Sequence, residues 1–318
     1  MLLLFGLAIE LIFFKFVPDL GTATLPSQES PSLLTNFRSF ENYYLNPGTL
    51  MSARFAGTRI LLGLAKLLDR HLSSSDVRLH PLRISAAILT PLYAFVGLVP
   101  VLIRKTRYHW RRYAALYGGY CVLSLYTFYP YDMPSIALIS VAAFLILEEQ
   151  LGAGLIVMLL TGVFRESSLH VAWFVCGWAI CNRNIPLGRR LMWAVVYCIA
   201  FVLEYFVIRM FYPVYSSSNR LDLYGIFFGR GLWSLSCLVT LSIVAIVPIC
   251  YLVRQRSPFG LDWRTDFFVL NCVVTPVWIV FYRFMGGNIS ELRMVIPVLL
   301  PLFYGLAIRS ARPHLLRP

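Results

Sequence analysis

Apolar runs of twelve to twenty-two residues follow one another along most of the chain, each closed by a short polar turn. They lack the alternation of period two that strands of a membrane barrel need, so each is expected to be helix. The pattern predicts ten spans, over 1–17, 84–103, 114–128, 136–147, 151–164, 169–181, 191–212, 232–253, 267–285 and 294–308. A helix needs about 20 residues to cross the hydrocarbon, so the twelve- to fifteen-residue runs are short. Short runs end within the depth of the bilayer, where their polar ends require a water-filled cavity. The first run contains Glu10 and Lys15 and has neither a basic leader nor an A-x-A site, so it reads as an uncleaved span.

Two polar stretches interrupt this pattern. The longer, 18–82, is expected to be an extracytoplasmic loop holding an interfacial amphipathic helix over 53–72. Ile60, Leu61, Leu64 and Leu68 would form its apolar stripe, with Arg59, Lys66 and Arg70 away from it, so that it lies in the membrane surface. The second stretch, 213–231, carries Ser216-Ser217-Ser218, Arg220, Asp222 and Arg230.

Composition agrees with the pattern. A hydrophobic content of 58%, a charged content of 14% and a mean hydropathy of +0.71 exclude a soluble domain. The fold class expected is all-α, a single polytopic transmembrane domain over 1–318. The net charge of +13 would suit nucleic acid, but its distribution argues against that partner. Loops 104–113, 182–190 and 254–265, with the C-terminal tail, carry 14 of the 28 basic residues, and alternating spans put all four on one side. That side is cytoplasmic by the positive-inside rule, and both termini lie there. Arg outnumbers Lys 25 to 3, a bias that suits phosphate and that genome base composition also produces. The seven cysteines lie in or beside spans without CxxC or Cys/His ligand spacing, so they read as small buried residues.

The same parity places Asp19, Glu41, Asp132, Arg165, Glu166, Glu291 and Arg293 on the outer side. Charge is costly in hydrocarbon unless it faces a polar cavity or a partner. Asp132, Arg165 and Glu166, at the outer ends of short spans, are therefore expected to line one pocket. Arg54, Arg59, Arg165 or Arg293 could hold a phosphate through two parallel hydrogen bonds. Glu41, with Asp19 in reserve, could take a proton from an acceptor hydroxyl. Tyr43, Tyr44, Tyr129 and Tyr131 could line a sugar site. A divalent cation on Asp132 and a loop carboxylate is compatible with these residues, but no ligand spacing argues for a metal. Simpler readings stand beside these. Arg165-Glu166 could be an ion pair fixing two helices, Asp132 between Pro130 and Pro134 a turn or cap, and Glu291 and Arg293 interfacial loop charges. Glu10 and Glu204 lie inside spans and are functional candidates by default, but each could pair with Lys15 or Arg209 in its own helix. His170 reads as a packed polar residue.

These residues carry a resemblance. Phe40-Glu41-Asn42-Tyr43-Tyr44 followed by Arg54 and Arg59-Ile60-Leu61-Leu62, then Asp132-Met133-Pro134-Ser135 with Phe164-Arg165-Glu166, and finally Glu291-Leu292-Arg293, are similar to segments of uncharacterised bacterial members of the GT-C superfamily of integral membrane glycosyltransferases. Glu41 stands where that pattern has Asp, and no Gly follows it. The resemblance implies a bacterial inner-membrane enzyme that inverts at the sugar and uses a polyprenyl-phosphate donor. Its partners would be lipid-linked sugar phosphate and membrane lipid, with no protein partner indicated. A transporter or flippase of lipid-linked sugar is the first rival and would spread polar residues through mid-span positions in an inverted repeat. A non-catalytic membrane assembly subunit is the second. A protease or acyltransferase lacks its H-E-x-x-H or G-x-S-x-G signature.

Overall fold

The structure, a computed structural model, describes residues 34, 36–45, 54–70, 80–124, 130–212, 235–255, 260, 262–284 and 296–308. The run at 1–17, Asp19, the polar loop 213–231, Glu291 and Arg293 lie outside the described residues. Of those described, 87% are helical and none forms a strand, so the chain is all-α. The helices are α1 (Phe37–Tyr44), α2 (Phe55–Asp69), α3 (Pro81–Ile103), α4 (Trp110–Ser124), α5 (Asp132–Leu147), α6 (Leu151–Phe164), α7 (Leu169–Cys181), α8 (Leu187–Phe211), α9 (Leu235–Arg254), α10 (Trp263–Phe284) and α11 (Leu300–Ala307). Single 3-10 turns at Glu166–Ser168 and Ile296–Leu299 lead into α7 and α11.

Two helices, α3 and α8, are long and apolar enough to cross a membrane. They bury very different shares of themselves. In α3, 44% of the best eighteen-residue window is inside the protein; in α8 the figure is 6%. The α8 surface exposes Leu191, Val195, Ile199, Val202 and Phe206. The α5 and α6 helices are apolar but shorter, and their bounds lie within four residues of the expected runs.

α5 is the centre of the array. Nearly all its side chains are buried, and it packs on α3 and α6. Its small residues Ala137, Ala142 and Ala143 let neighbouring backbones approach closely. Ser140 fastens that packing. Its hydroxyl donates to the Gly97 carbonyl at 3.0 Å and lies 2.5 Å from the Tyr113 hydroxyl, while the Tyr304 hydroxyl donates to the Ser140 carbonyl at 2.9 Å. One buried knot therefore ties α3, α4, α5 and α11, and satisfied polar groups of this kind specify register in an otherwise greasy core.

Hydrogen bonds gather the basic loops at one end. Arg107 Nη1 donates to Glu148 Oε1 at 2.8 Å, Arg264 Nε to the Leu147 carbonyl at 3.1 Å, and Asn182 Nδ2 to Glu149 Oε1 at 3.2 Å. The His109 amide donates to the Ala307 carbonyl at 2.7 Å beside an isolated antiparallel bridge from Tyr108 to Ile308. The starts of α2 and α5 and the ends of α6 and α8 meet at the other end.

Two details differ from the sequence expectation. The segment Phe37–Tyr44, in the stretch expected to be loop, is a helix, because Asn36 caps it by accepting from the Ser39 amide at 3.1 Å and Phe40 and Tyr44 fall on one buried face. The α2 helix covers 55–69 rather than 53–72, and its buried stripe is Gly57, Thr58, Leu61, Leu62 and Ala65. Ile60 is exposed and Leu64 and Leu68 half-buried, because α2 packs on α3 and α6 through its small residues. The reason is Gly57. A Cβ there would stand 2.6 Å from the Pro130 carbonyl oxygen and 2.7 Å from the Tyr131 Cα, so only glycine lets α2 lie on that backbone.

Candidate functional site

Helix ends bring Asp132, Arg165 and Glu166 together. α6 stops at Phe164, where Arg165 is extended and Glu166 opens the 3-10 turn before α7. α5 begins at Asp132, one residue past Tyr131. Arg165 Nη1 donates to Asp132 Oδ1, and each side chain is only 3% exposed. Asp132 therefore spends its carboxylate on a tertiary ion pair rather than on capping α5. Its place in the first turn adds a favourable interaction with the helix dipole.

Arg54, just ahead of α2, reaches the same place. Its Nε donates to Glu166 Oε2 at 2.9 Å and its Nη1 to the Tyr131 hydroxyl at 3.3 Å. Arg209, in the last turn of α8, donates through Nη2 to Glu166 Oε1 at 2.9 Å. Glu166 thus holds one arginine on each oxygen. The Arg54 and Arg165 guanidinium carbons lie 5.1 and 5.8 Å from the Tyr131 ring centre, within cation–π range. Burial by itself would raise the Glu166 carboxyl. The Arg54 guanidinium, a backbone hydrogen bond, Arg165 and Arg209 outweigh it and hold the group below the usual carboxylate range. Burial likewise opposes the charge on Arg54, and Glu166, Tyr131 and Asp132 more than restore it.

Of the residues picked from the sequence, Asp132, Arg165, Glu166, Arg54 and Tyr131 converge. Glu41 and Arg59 do not join them. Glu41 is on α1, partly exposed, with Lys66 Nζ 2.7 Å from its carboxylate. Lys66 is twelve residues beyond Arg54, which puts it roughly 18 Å away along α2. Arg59 is exposed, and its guanidinium lies over its own helix's Phe55 ring at 5.8 Å. His170 is buried and meets Trp278 edge-on at 4.7 Å between ring centres.

Arg209 and Glu204 belong to this site and were absent from the residues selected for it. An Arg209–Glu204 pair was the local expectation for α8. Arg209 instead crosses to Glu166. Glu204 turns onto α6, where a Cβ on Gly162 would come within 2.0 Å of its Oε2. One Glu204 oxygen interacts with Ser168, and Oε2 is buried without a partner. Glu204, Glu166, Ser168 and Arg209 line a crevice of about 10 Å³, room for one water molecule. Glu204 stands out in the sequence by its ionisable character inside an apolar span, and Arg209 carries the same signal.

Among the described residues, no three His, Cys, Asp or Glu side chains gather as a metal ion would require. No family model, curated protein or solved structure matches the chain.

Proposed function

We propose that the chain is a polytopic membrane protein of about ten spans and GT-C type, which transfers a sugar from a polyprenyl-phosphate donor at the extracytoplasmic face. In this reading it resides in a bacterial inner membrane with both termini cytoplasmic. The observation that carries the proposal is the convergence of Arg54, Arg165 and Arg209 on Tyr131 and Glu166 at one end of the short helices. The guanidiniums of Arg54 and Arg209, both directed at Glu166, suit a phosphate group held by forked hydrogen bonds. The apolar flank of α8 suits lipid, and the grouping of the basic loops at the opposite end supports the orientation.

In the reaction, the acceptor oxygen forms a bond to the sugar's anomeric carbon as the bond from that carbon to the phosphate oxygen breaks. The departing phosphate takes the electron pair and is held by Arg54 and Arg209. The acceptor proton goes to a carboxylate. Glu204 lines the same crevice as Arg209 and, unlike Glu166, keeps one oxygen unpartnered. Glu41 would need α1 and α2 to move before it could serve there.

Native mass spectrometry of the protein in mild detergent, with added polyprenyl phosphate, tests the reading. The wild type should retain the lipid and Arg209→Gln should lose it, whereas Glu204→Gln should keep the lipid and stop turnover. Equal retention by Arg209→Gln would sink the proposal. Arg209 is the better probe than Arg165, whose loss would strand a buried charge.

One observation favours a second reading. Asp132 and Arg165 are almost wholly buried, and the crevice admits no more than a water. Such a closed network can serve only to lock α2, α5, α6 and α8, as a non-catalytic membrane subunit would need. In that case Arg209→Gln lowers stability and leaves lipid retention unchanged.

A further inference from the structure

A second cavity opens at the opposite end, between the α5–α6 turn and the α7–α8 turn. Its volume is about 360 Å³, and it is lined by the start of α6, Trp178, Arg189 and Trp193. It is remote in the fold from Glu166, which sits at the far end of α6.

Its walls carry several donors. The first three amides of α6, at Leu151, Gly152 and Ala153, precede the first helical hydrogen bond, made by Gly154 to Gln150, and no side chain caps them. Open space faces Gly152. Trp178 is fully buried, yet its indole N–H has no acceptor. Buried indole N–H groups normally find one, so this one marks a missing partner. Arg189 is exposed and adds a full positive charge. Helix-start amides, a guanidinium and an indole N–H together describe a receptor for a phosphate.

Glu149 is the acidic group on the wall. The Asn182 amide donates to one of its oxygens at 3.2 Å. A carboxylate beside a phosphate receptor disfavours a bare anion and favours a ligand whose phosphate is followed by a cation. We propose that this cavity binds the phosphoethanolamine headgroup of a membrane phospholipid at the cytoplasmic face. The phosphate sits on the α6 start, Arg189 and Trp178, and the ammonium sits on Glu149. The assignment rests on the membrane placement proposed above and is independent of any catalysis at the outer end.

The full chain, purified in mild non-ionic detergent and stripped of lipid, is titrated with phosphatidylethanolamine, phosphatidylglycerol or inorganic phosphate, and adducts are counted by native mass spectrometry. Phosphatidylethanolamine should bind in preference to phosphatidylglycerol, and inorganic phosphate should not be retained. Arg189→Gln, at an exposed position that folding tolerates, should weaken the lipid about tenfold, the loss expected for one charge-assisted contact. Trp178→Phe keeps the ring, removes the N–H and should weaken binding in the same direction. Glu149→Gln should erase the preference between the two lipids. Equal binding of both lipids by the wild type, retention of inorganic phosphate, or indifference to Arg189→Gln would each overturn the assignment. A chain that stays dispersed in buffer without detergent would instead refute the membrane placement on which it rests.

Discussion

The two ends of the helix array treat charge in opposite ways. At the end where α5 starts, Asp132 and Arg165 are each 3% exposed, and Glu166 is shared between Arg54 and Arg209. At the end where α6 starts, Arg107 is 36% exposed, and Arg183 and Arg189 are exposed. Solvated charges cost little to keep and contribute little when paired. They can fix orientation by their sign alone. Buried charges must be matched atom by atom, since an unmatched one costs several kcal/mol. The buried cluster is therefore where substitution is expected to hurt, and where a function is worth seeking.

The largest expected effect is on the Asp132–Arg165 pair. Arg165→Met removes one partner and leaves a buried carboxylate, at a cost of about 3–5 kcal/mol. Adding Asp132→Leu to the same chain should recover most of that loss, because both charges then leave together. Thermal unfolding in detergent measures both. A double variant as unstable as the single one would show that Asp132 has a further role that its pairing does not explain.

Next comes the backbone contact that holds Arg54 in place. Gly57→Ala sets a Cβ against the Pro130 carbonyl and Tyr131 Cα, neither of which can rotate away. Overpacking of this kind costs about 1–3 kcal/mol and should move α2 off α5. Any lipid retention that depends on Arg54 should fall with it, although no charge has been altered. Gly162→Ala should be milder, since Glu204 is a side chain and can swing aside.

Acid should separate the two ends. The Glu166 carboxyl is held below its ordinary range in the folded protein, so its contribution to stability is present above that range and is lost as pH falls through the lowered value. Stability of the wild type should decline on acidification below the ordinary carboxylate range. Glu166→Gln should flatten that part of the profile and lower stability at neutral pH. Glu148→Gln at the opposite end should leave the Glu166-dependent part in place.

The sequence made the helical class and most element bounds legible, for reasons visible in particular residues. Leu151–Phe164 and Leu169–Cys181 stand out because charges and Pro punctuate apolar runs at their ends. Asp132, Arg165 and Glu166 stood out because ionisable groups are rare in such runs. The partners were hidden. Arg209 reads locally as a mate for Glu204, five residues earlier, yet α8 crosses α6 so that Arg209 meets Glu166 instead. Arg54 stands out in the sequence as a phosphate ligand, but its pairing with Glu166 and Tyr131 does not, and only the glycine-permitted contact of α2 with Tyr131 brings it into the core. The buried face of α2 was misjudged for the same cause. Size rather than hydrophobicity decided it, so Gly57, Thr58 and Ala65 displaced Ile60 and Leu64.

The smallest stability effect is expected at Glu41, and it bears most directly on mechanism. Glu41 and Lys66 form an exposed pair, 38% and 58% accessible, of a kind that contributes at most about 1 kcal/mol. Glu41→Gln should therefore leave thermal unfolding nearly unchanged. If turnover collapses while stability holds, Glu41 acts on the substrate, and α1 must approach the arginines during the reaction. If turnover survives, and instead collapses in Glu204→Gln, the proton acceptor lies in the crevice beside Arg209. The resemblance favours the first outcome and the geometry the second. A matched pair of variants assayed on one lipid-linked donor decides between them, because each preserves shape and removes only a charge.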